Sequence, residues 1–433
     1  MIALERQREW WRPGGPAKPQ VSAPADAPKL KDNPWAFRAL LFFIIINLGS
    51  PQSYLPFLGP LRLALLSALA AIGFYLFSSD KALKSRPMPT EMKWVLAIVV
   101  WATVTVPFSS WPGGSTMALI DFLKTLVFFW LLSRVIVQPQ QMRIVFWTLS
   151  AVAAPLALTG IRNYLAGEFT AGRISGVGGL ASNANDLAMT LSMILPMTAV
   201  MAMTTKRRLL QLAAVANIAL SLVCIIVTFS RGGFLGVTLM ILAALALCVR
   251  RGQGKPVAFV TVAVVVGLLC LPSGYSDRLS TITNPEADES GSAQGRLAGM
   301  LGAVDYIAHH PIFGAGLGQD IVVLNDWGSV WHHVHTAYLM YGVDLGVPGM
   351  VMFIGAMICA YWGARRTERA AYLARSHEIS LMATAIRISL LGFALQAVFA
   401  PVAYNFYFYY LAGMAVAIRY CFEHPVSPAV ANA

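Results

Sequence analysis

Charge is what this chain has least of. Of 433 residues only 12% are Asp, Glu, Lys or Arg, about half the share of an ordinary soluble domain. With 57% hydrophobic residues and a mean hydropathy of +0.63, that scarcity excludes a soluble enzyme and a disordered chain. Cysteine is also sparse. The five present (Cys224, Cys248, Cys270, Cys359 and Cys421) show no metal or redox spacing. They exclude a disulfide scaffold and read as packing residues. No tandem repeat recurs, and the internal symmetry common in transporters is missing. Acids are outnumbered by bases, 20 to 32, for a net charge of +12. In a soluble protein such an excess would suggest nucleic acid. Here the bases sit mainly in short connections between apolar runs, so membrane lipid is the expected partner and nucleic acid is not.

Long apolar runs are what the sequence has in abundance. A helical span needs roughly 20 such residues, and about twelve are expected: 36–54, 59–78, 94–110, 116–134, 143–160, 185–203, 209–228, 232–249, 256–271, 335–363, 379–399 and 402–420. The first begins near Phe37 and continues into a spanning pattern, so no cleavable leader is expected. The fold class is therefore all-α integral membrane. Residues 1–35, with six prolines, are expected as a disordered cytoplasmic tail. Residues 36–271 carry spans one to nine, 272–334 form an external loop, 335–420 carry the last three spans, and 421–433 form a second cytoplasmic tail.

Alternate connections are basic, among them Lys81, Lys84, Arg86 and Lys93, then Lys206, Arg207 and Arg208, then Arg365, Arg366 and Arg369. The positive-inside bias puts these connections and both termini in the cytoplasm. The opposite connections hold five basic residues, Arg162, Arg173, Arg231, Arg278 and Arg296, all of them arginine. Arginine stays charged and grips phosphate through two parallel hydrogen bonds. Capping or pairing with a loop acid is the plainer reading for each. Three more bases, Arg62, Lys124 and Arg387, fall inside apolar runs, and Lys124 is three residues from Asp121, where the two could pair.

Four stretches could carry chemistry. Ser230-Arg231-Gly232-Gly233 joins two spans through a short external turn, where glycine lets an anion approach a helix N-terminus; a tight hairpin would need glycine anyway. Trp331-His332-His333-Val334-His335 precedes a span broken by Gly342, Gly346 and Pro348. Histidine suits proton transfer near neutral pH, and a metal site would need a further well-placed ligand. Arg173-Ile174-Ser175-Gly176 leads to Asn183-Ala184-Asn185-Asp186, where Arg173 and Asn185 could touch a sugar or phosphate, or the Asn residues could simply cap a helix. His310-Pro311-Ile312-Phe313-Gly314-Ala315-Gly316-Leu317-Gly318 has the glycine spacing of a nucleotide loop without its strand–turn–helix frame, and reads as a re-entrant turn leading to the histidines. Leu297, Met300, Leu301, Val304 and Ile307 recur at helical spacing, so 295–309 is expected as an amphipathic helix on the outer membrane face.

In order and sidedness these stretches resemble the O-antigen ligase family of the ligase and polymerase superfamily. The similarity rests on an Arg-x3-Leu turn (Arg231 to Leu235), Arg296 opening the external helix, the turn 310–318, a His-x10-Gly motif (His335 to Gly346), and the Arg173 to Ala188 element. It covers roughly 170–350. Asp344 departs from it, standing where many relatives carry Glu. The resemblance implies a C-type glycosyltransferase-like architecture and an inverting glycosyltransferase of the inner membrane with its active site facing the periplasm. Its donor would be a glycan on undecaprenyl diphosphate and its acceptor a hydroxyl of lipid A–core. His335 would be the catalytic base, Arg231 and Arg296 would hold the diphosphate, and no metal or cofactor would be used. Arg173, Asn185, His333 and His332 are further candidate substrate contacts. A polymerase or protein O-oligosaccharyltransferase of the same superfamily would share the donor, and a transporter or flippase is the reading from another class. The acceptor, the sugar and the oligomeric state stay open.

Overall fold

In hydrocarbon a backbone must satisfy its own polar groups, and a single segment does this only as a helix. The computed structural model describes residues 33–78, 86–170, 173–174, 178–179, 181–252, 292–326 and 333–424. The tail 1–32, the span expected over 256–271, the loop up to 291, and Trp331 and His332 lie outside the described residues. Thirteen helices longer than one turn are named here: α1 (Pro34–Gly49), α2 (Leu63–Leu76), α3 (Thr90–Thr105), α4 (Pro112–Val135), α5 (Pro139–Leu165), α6 (Ala184–Thr204), α7 (Arg208–Val227), α8 (Arg231–Arg250), α9 (Ser292–His309), α10 (Asp320–Asp326), α11 (Ala337–Leu373), α12 (His377–Gln396) and α13 (Phe406–Glu423). Among the described residues nine helical segments are long and apolar enough to cross a membrane. The protein is an all-α, multi-pass membrane protein. Among the described residues one hairpin pairs two-residue strands, β1 (Phe169–Thr170) and β2 (Arg173–Ile174), antiparallel.

Local sequence sets the helix starts. Proline opens α1, α4 and α5, where its missing N–H costs nothing. Asn33 caps α1 by accepting from the Ala36 amide, and Gln138 with Gln141 forms a capping box on α5. Helix α13 is the hub. From Phe406 to Ile418 every side chain is buried, against α4, α11 and α12. Gly413 permits the approach to α4, because a Cβ there would stand 2.9 Å from the Phe129 carbonyl oxygen.

Ion pairs knit the bundle at the end where the basic connections lie. Glu368 on α11 accepts from Arg387 (2.6 Å) and Arg251 (2.9 Å), and Glu91 on α3 accepts two parallel bonds from Arg419 at 2.8 Å each. Arg387, expected inside an apolar run, thus has a buried partner.

Three expected boundaries differ. The run 59–78 is not one α-helix: Pro56–Leu61 is a 3₁₀ turn, Arg62 takes a left-handed conformation (φ 46°), and α2 follows. Pro60 inside that turn has no N–H to continue a ladder. The expected tail to residue 35 gives way at Pro34 to a capped helix. The last difference is α11, expected to stop near 363, which runs 37 residues to Leu373 and carries Arg365, Arg366 and Arg369 on the helix instead of in a loop. At about 1.5 Å per residue it is near 55 Å long, well beyond a roughly 30 Å hydrocarbon layer; its last turns are strong helix formers such as Ala, Arg and Glu.

Helix α11 is broken near its start. Gly346 has φ 68° and ψ −175°, and Pro348 has no N–H for the Asp344 carbonyl. The turn 310–318 supplies what the break removes. Ala315 N–H donates to the Val343 carbonyl (2.7 Å), Gly316 N–H to that of Asp344 (2.8 Å), and the Pro311 carbonyl accepts from Val347 N–H (2.8 Å). The Trp101 indole donates to the Leu345 carbonyl (2.8 Å). A Cβ on Gly346 would collide with the Ile312 carbonyl. Gly346→Ala is therefore expected to cost about 1–3 kcal/mol, from its left-handed φ and this clash, and to lower the melting temperature of detergent-solubilised protein. Gly299→Ala, where a new Cβ meets nothing within 4 Å, should leave it level or slightly raised. Equal melting temperatures for the two variants would contradict this reading of the break.

Candidate functional site

The turn between α7 and α8 is short because Phe229 adopts a left-handed conformation (φ 52°) that a bulky residue rarely takes. Thr228 Oγ1 accepts from the Ser230 amide, and Ser230 Oγ accepts from the Gly233 amide to cap α8. Gly233 is a packing residue: a Cβ there would lie 2.7 Å from that of Ala188 on α6. Both Gly232 and Gly233 line a cleft, together with Asn185, Ser230, Arg296, Gln396 and Phe399.

That cleft gathers distant parts of the chain. Arg296 arrives from the first turns of α9. Arg231 opens α8 between two cleft residues, Ser230 and Gly232. The Nε atoms of both arginines are shielded from solvent. Asn185 comes from the start of α6, and the cap there is made by its neighbour: Asn183 Oδ1 accepts from the amides of Asn185 and Asp186. Asn185 is thereby left to turn its side chain to the cleft, where its Oδ1 accepts from Ser230 Oγ at 2.9 Å. None of the residues lining the cleft is acidic, and the positive end of the α8 dipole points into it.

His335 is not among the cleft residues. It stands two residues before α11, where the Ala337 amide donates to the Ala397 carbonyl at 2.8 Å. Ala397 belongs to the α12 end that supplies Gln396 and Phe399. Arg173 is elsewhere, partly buried in β2 and not among the cleft residues.

Two carboxylates that sequence reasoning did not single out as site residues fix this loop. Asp344, fully buried inside α11, accepts from the amides of Gly318 (2.9 Å), Gln319 (3.0 Å) and Asp320 (2.8 Å). It thus caps α10 from another helix. Asp320 is also fully buried; it accepts from the Val334 amide (2.9 Å) and sits 3.0 Å from His333 Nδ1. Histidine-bearing loop and broken helix are tied to one another through α10. Asp320 gave one signal in the sequence: it follows a glycine-rich turn, where a helix would start. Helix α9, which starts at Ser292 and not at the expected 295, buries Ala303 and Tyr306 while Leu297, Leu301 and Val304 stay exposed on another face. Among the described residues no group of three His, Cys, Asp or Glu side chains could hold a metal ion.

Residues 216–354 match the protein-family model described as O-Antigen ligase. The matched segment runs from the middle of α7 to the middle of α11, so it includes Arg231, Arg296, Asp320, His333, His335 and Asp344, while Asn185 and Arg173 precede it. The match supports a place in the O-antigen ligase superfamily at large and does not separate ligases from polymerases. No curated protein matches the chain.

The hydrogen bond to Asp320 raises the His333 pKa above its ordinary 6.5, against the opposing effect of burial. Because the folded value is the higher one, the charged contact is complete below pH 6.5 and is lost as pH rises through the raised value. Hydrogen exchange at the amides of 333–336 should therefore quicken over that rise. In Asp320→Asn the histidine should titrate at a lower pH than in the wild type. An unchanged titration in Asp320→Asn would remove the ion pair from the account.

Proposed function

We propose that the protein is an inverting glycosyltransferase that moves a glycan from undecaprenyl diphosphate to a hydroxyl of lipid A–core at the periplasmic face of the inner membrane. The observation that carries this reading is the shared cleft. Arg296 from α9 meets Ser230 and Gly232 at the N-terminus of α8, the helix that Arg231 opens, all within the segment that matches O-Antigen ligase, and Asn185 joins them from before that segment. The cleft lies at the end of the bundle away from the basic connections, which the positive-inside bias assigns to the cytoplasm.

The chemistry follows from these groups. The acceptor oxygen attacks the anomeric carbon on the face opposite the diphosphate. As the new C–O bond forms, the old one breaks and its electron pair goes to the diphosphate, so one displacement inverts the centre. Arg231, Arg296 and the α8 amides stabilise the growing negative charge. His335 takes the acceptor's proton, a role worth about 10²–10⁴ in rate. Asp320, through His333 and Val334, holds the chain that presents His335. Asn185, at the cleft, is the first candidate for a sugar or phosphate contact, and Arg173 and His333, which are not among the cleft residues, are the further ones. The donor is activated before it arrives, so the reaction needs no metal or nucleotide.

A polymerase or protein O-oligosaccharyltransferase would use the same donor chemistry, and the acceptor decides between them. A transporter would carry paired charges along an internal path; Asp121 and Lys124 do pair, but with both side chains more than two-thirds exposed.

The test is transfer by purified protein from lipid-linked glycan to lipid A–core in the presence of a chelator, with lipid-linked glycan and a serine-bearing protein as rival acceptors. Product on lipid A–core is expected; product on a rival acceptor alone would move the assignment within the superfamily. Arg231→Lys should lose about 10²–10³ in rate, since a point charge lacks the planar fork. His335→Ala should abolish transfer while donor binding persists. Full transfer by either variant would remove that residue from the mechanism.

A further inference from the structure

The surface of α4 carries an ion pair where a membrane helix should be apolar. Helix α4 is 24 residues long, near 36 Å at about 1.5 Å per residue. Asp121 and Lys124 lie about 14 Å and 18 Å from its N-terminal end, close to the centre of the hydrocarbon layer and far from either interface. Lys124 Nζ donates to Asp121 Oδ1 at 2.7 Å, yet the two side chains are 71% and 73% exposed. Met117 and Ile120 on the same face are exposed as well. Charged side chains inside spans ordinarily face a bundle interior or a partner; these face outward.

The pair is also incompletely satisfied. One carboxylate oxygen and one ammonium N–H serve the internal bond, and among the described residues no other group bonds Oδ2 or the two remaining N–H groups. Their arrangement points to the partner. Two copies related by a two-fold axis along the membrane normal would bring their α4 helices together at equal depth. Asp121 of each would then face Lys124 of the other, three residues away in height, closing a ring of four alternating charges. Such a surface is complementary to itself and would reject a flat apolar helix.

We propose that the outer face of α4, centred on Asp121 and Lys124, is the interface through which two copies of this chain associate in the membrane. The proposal is independent of the transfer chemistry, since the cleft and this face share no residue.

Charge exchange tests it. Asp121→Lys gives a chain with two lysines on the face and Lys124→Asp one with two aspartates, so each repels itself and matches the other. With differently tagged copies extracted from membranes, wild type should capture itself. Each variant alone should lose at least about tenfold of that capture, and the two variants expressed together should recover most of it. Absent capture of wild type by itself, or a mixture no better than the single variants, would overturn the proposal. Should the charge variants fold poorly, Ile120→Cys in an otherwise unaltered chain keeps it testable. Oxidation in native membranes should give a cross-linked species of twice the chain mass that wild type does not give. A cross-link to a different mass would mean that another protein covers this face, and no new cross-link would mean that lipid does; either overturns self-association.

Discussion

The break in α11 imposes the strictest demand on this molecule. Within an apolar layer an unmade backbone hydrogen bond costs several kcal/mol, and Gly346 with Pro348 removes the helical partners around residues 343–347. The turn 310–318 restores them one by one, through Ala315, Gly316 and Pro311. The glycines of that turn, at φ 66°, 95° and 71° for Gly314, Gly316 and Gly318, are what allow its backbone to lie against α11. A Cβ on Gly314 would strike the Val343 carbonyl. What looks in sequence like a loop motif is thus the missing strip of a helix ladder.

The consequences spread outward. With the turn docked, Asp344 can reach three amides at the head of α10, and Asp320 can reach the loop that bears His333 and His335. That loop enters α11 beside the end of α12, and α12 walls the cleft reached by Arg296 and Gly232. Each link is a hydrogen bond to backbone, so the histidine loop is held by main-chain geometry more than by side-chain packing. Asp344 has one methylene fewer than Glu, and its carboxylate must reach across from α11 to the amides at the head of α10, so the length of the side chain is set by that gap.

How much of this the sequence made legible follows from which forces are local. Spans were readable because every residue of a membrane helix reports the same solvent, and the externally placed arginines stood out because insertion bias disfavours them. Caps were readable in kind but not in detail: Asn185 was a candidate sugar or phosphate contact with capping as the plainer reading, and it is Asn183 that caps α6 while Asn185 bonds Ser230 at the cleft. The Asp344–α10–Asp320 relay joins groups separated by long stretches of chain, and the one local signal at Asp320, its place after a glycine-rich turn, points to a helix start and not to the loop it holds. The length of α11 was misjudged because arginines were taken as the end of a span, although a helix can continue past the membrane without changing its own hydrogen bonding.

The placement of acids explains why the cleft can be positive in a loop rich in carboxylates. Asp344 and Asp320 are buried and turned onto amides, and Asp305 stands beside His309 on α9. The carboxyls of Asp344 and Asp320 hold backbone amides, and the cleft itself is lined by Asn185, Ser230, Gly232, Gly233, Gln396 and Arg296 with the apolar Met189, Phe399 and Ala400. If a carboxylate stood among those residues it would pair with Arg296 or Arg231 and cancel the attraction for an incoming anion. The same residue type that would poison the cleft from within therefore builds it from behind, and the difference lies in whether the carboxylate faces main-chain N–H groups or the guanidinium groups.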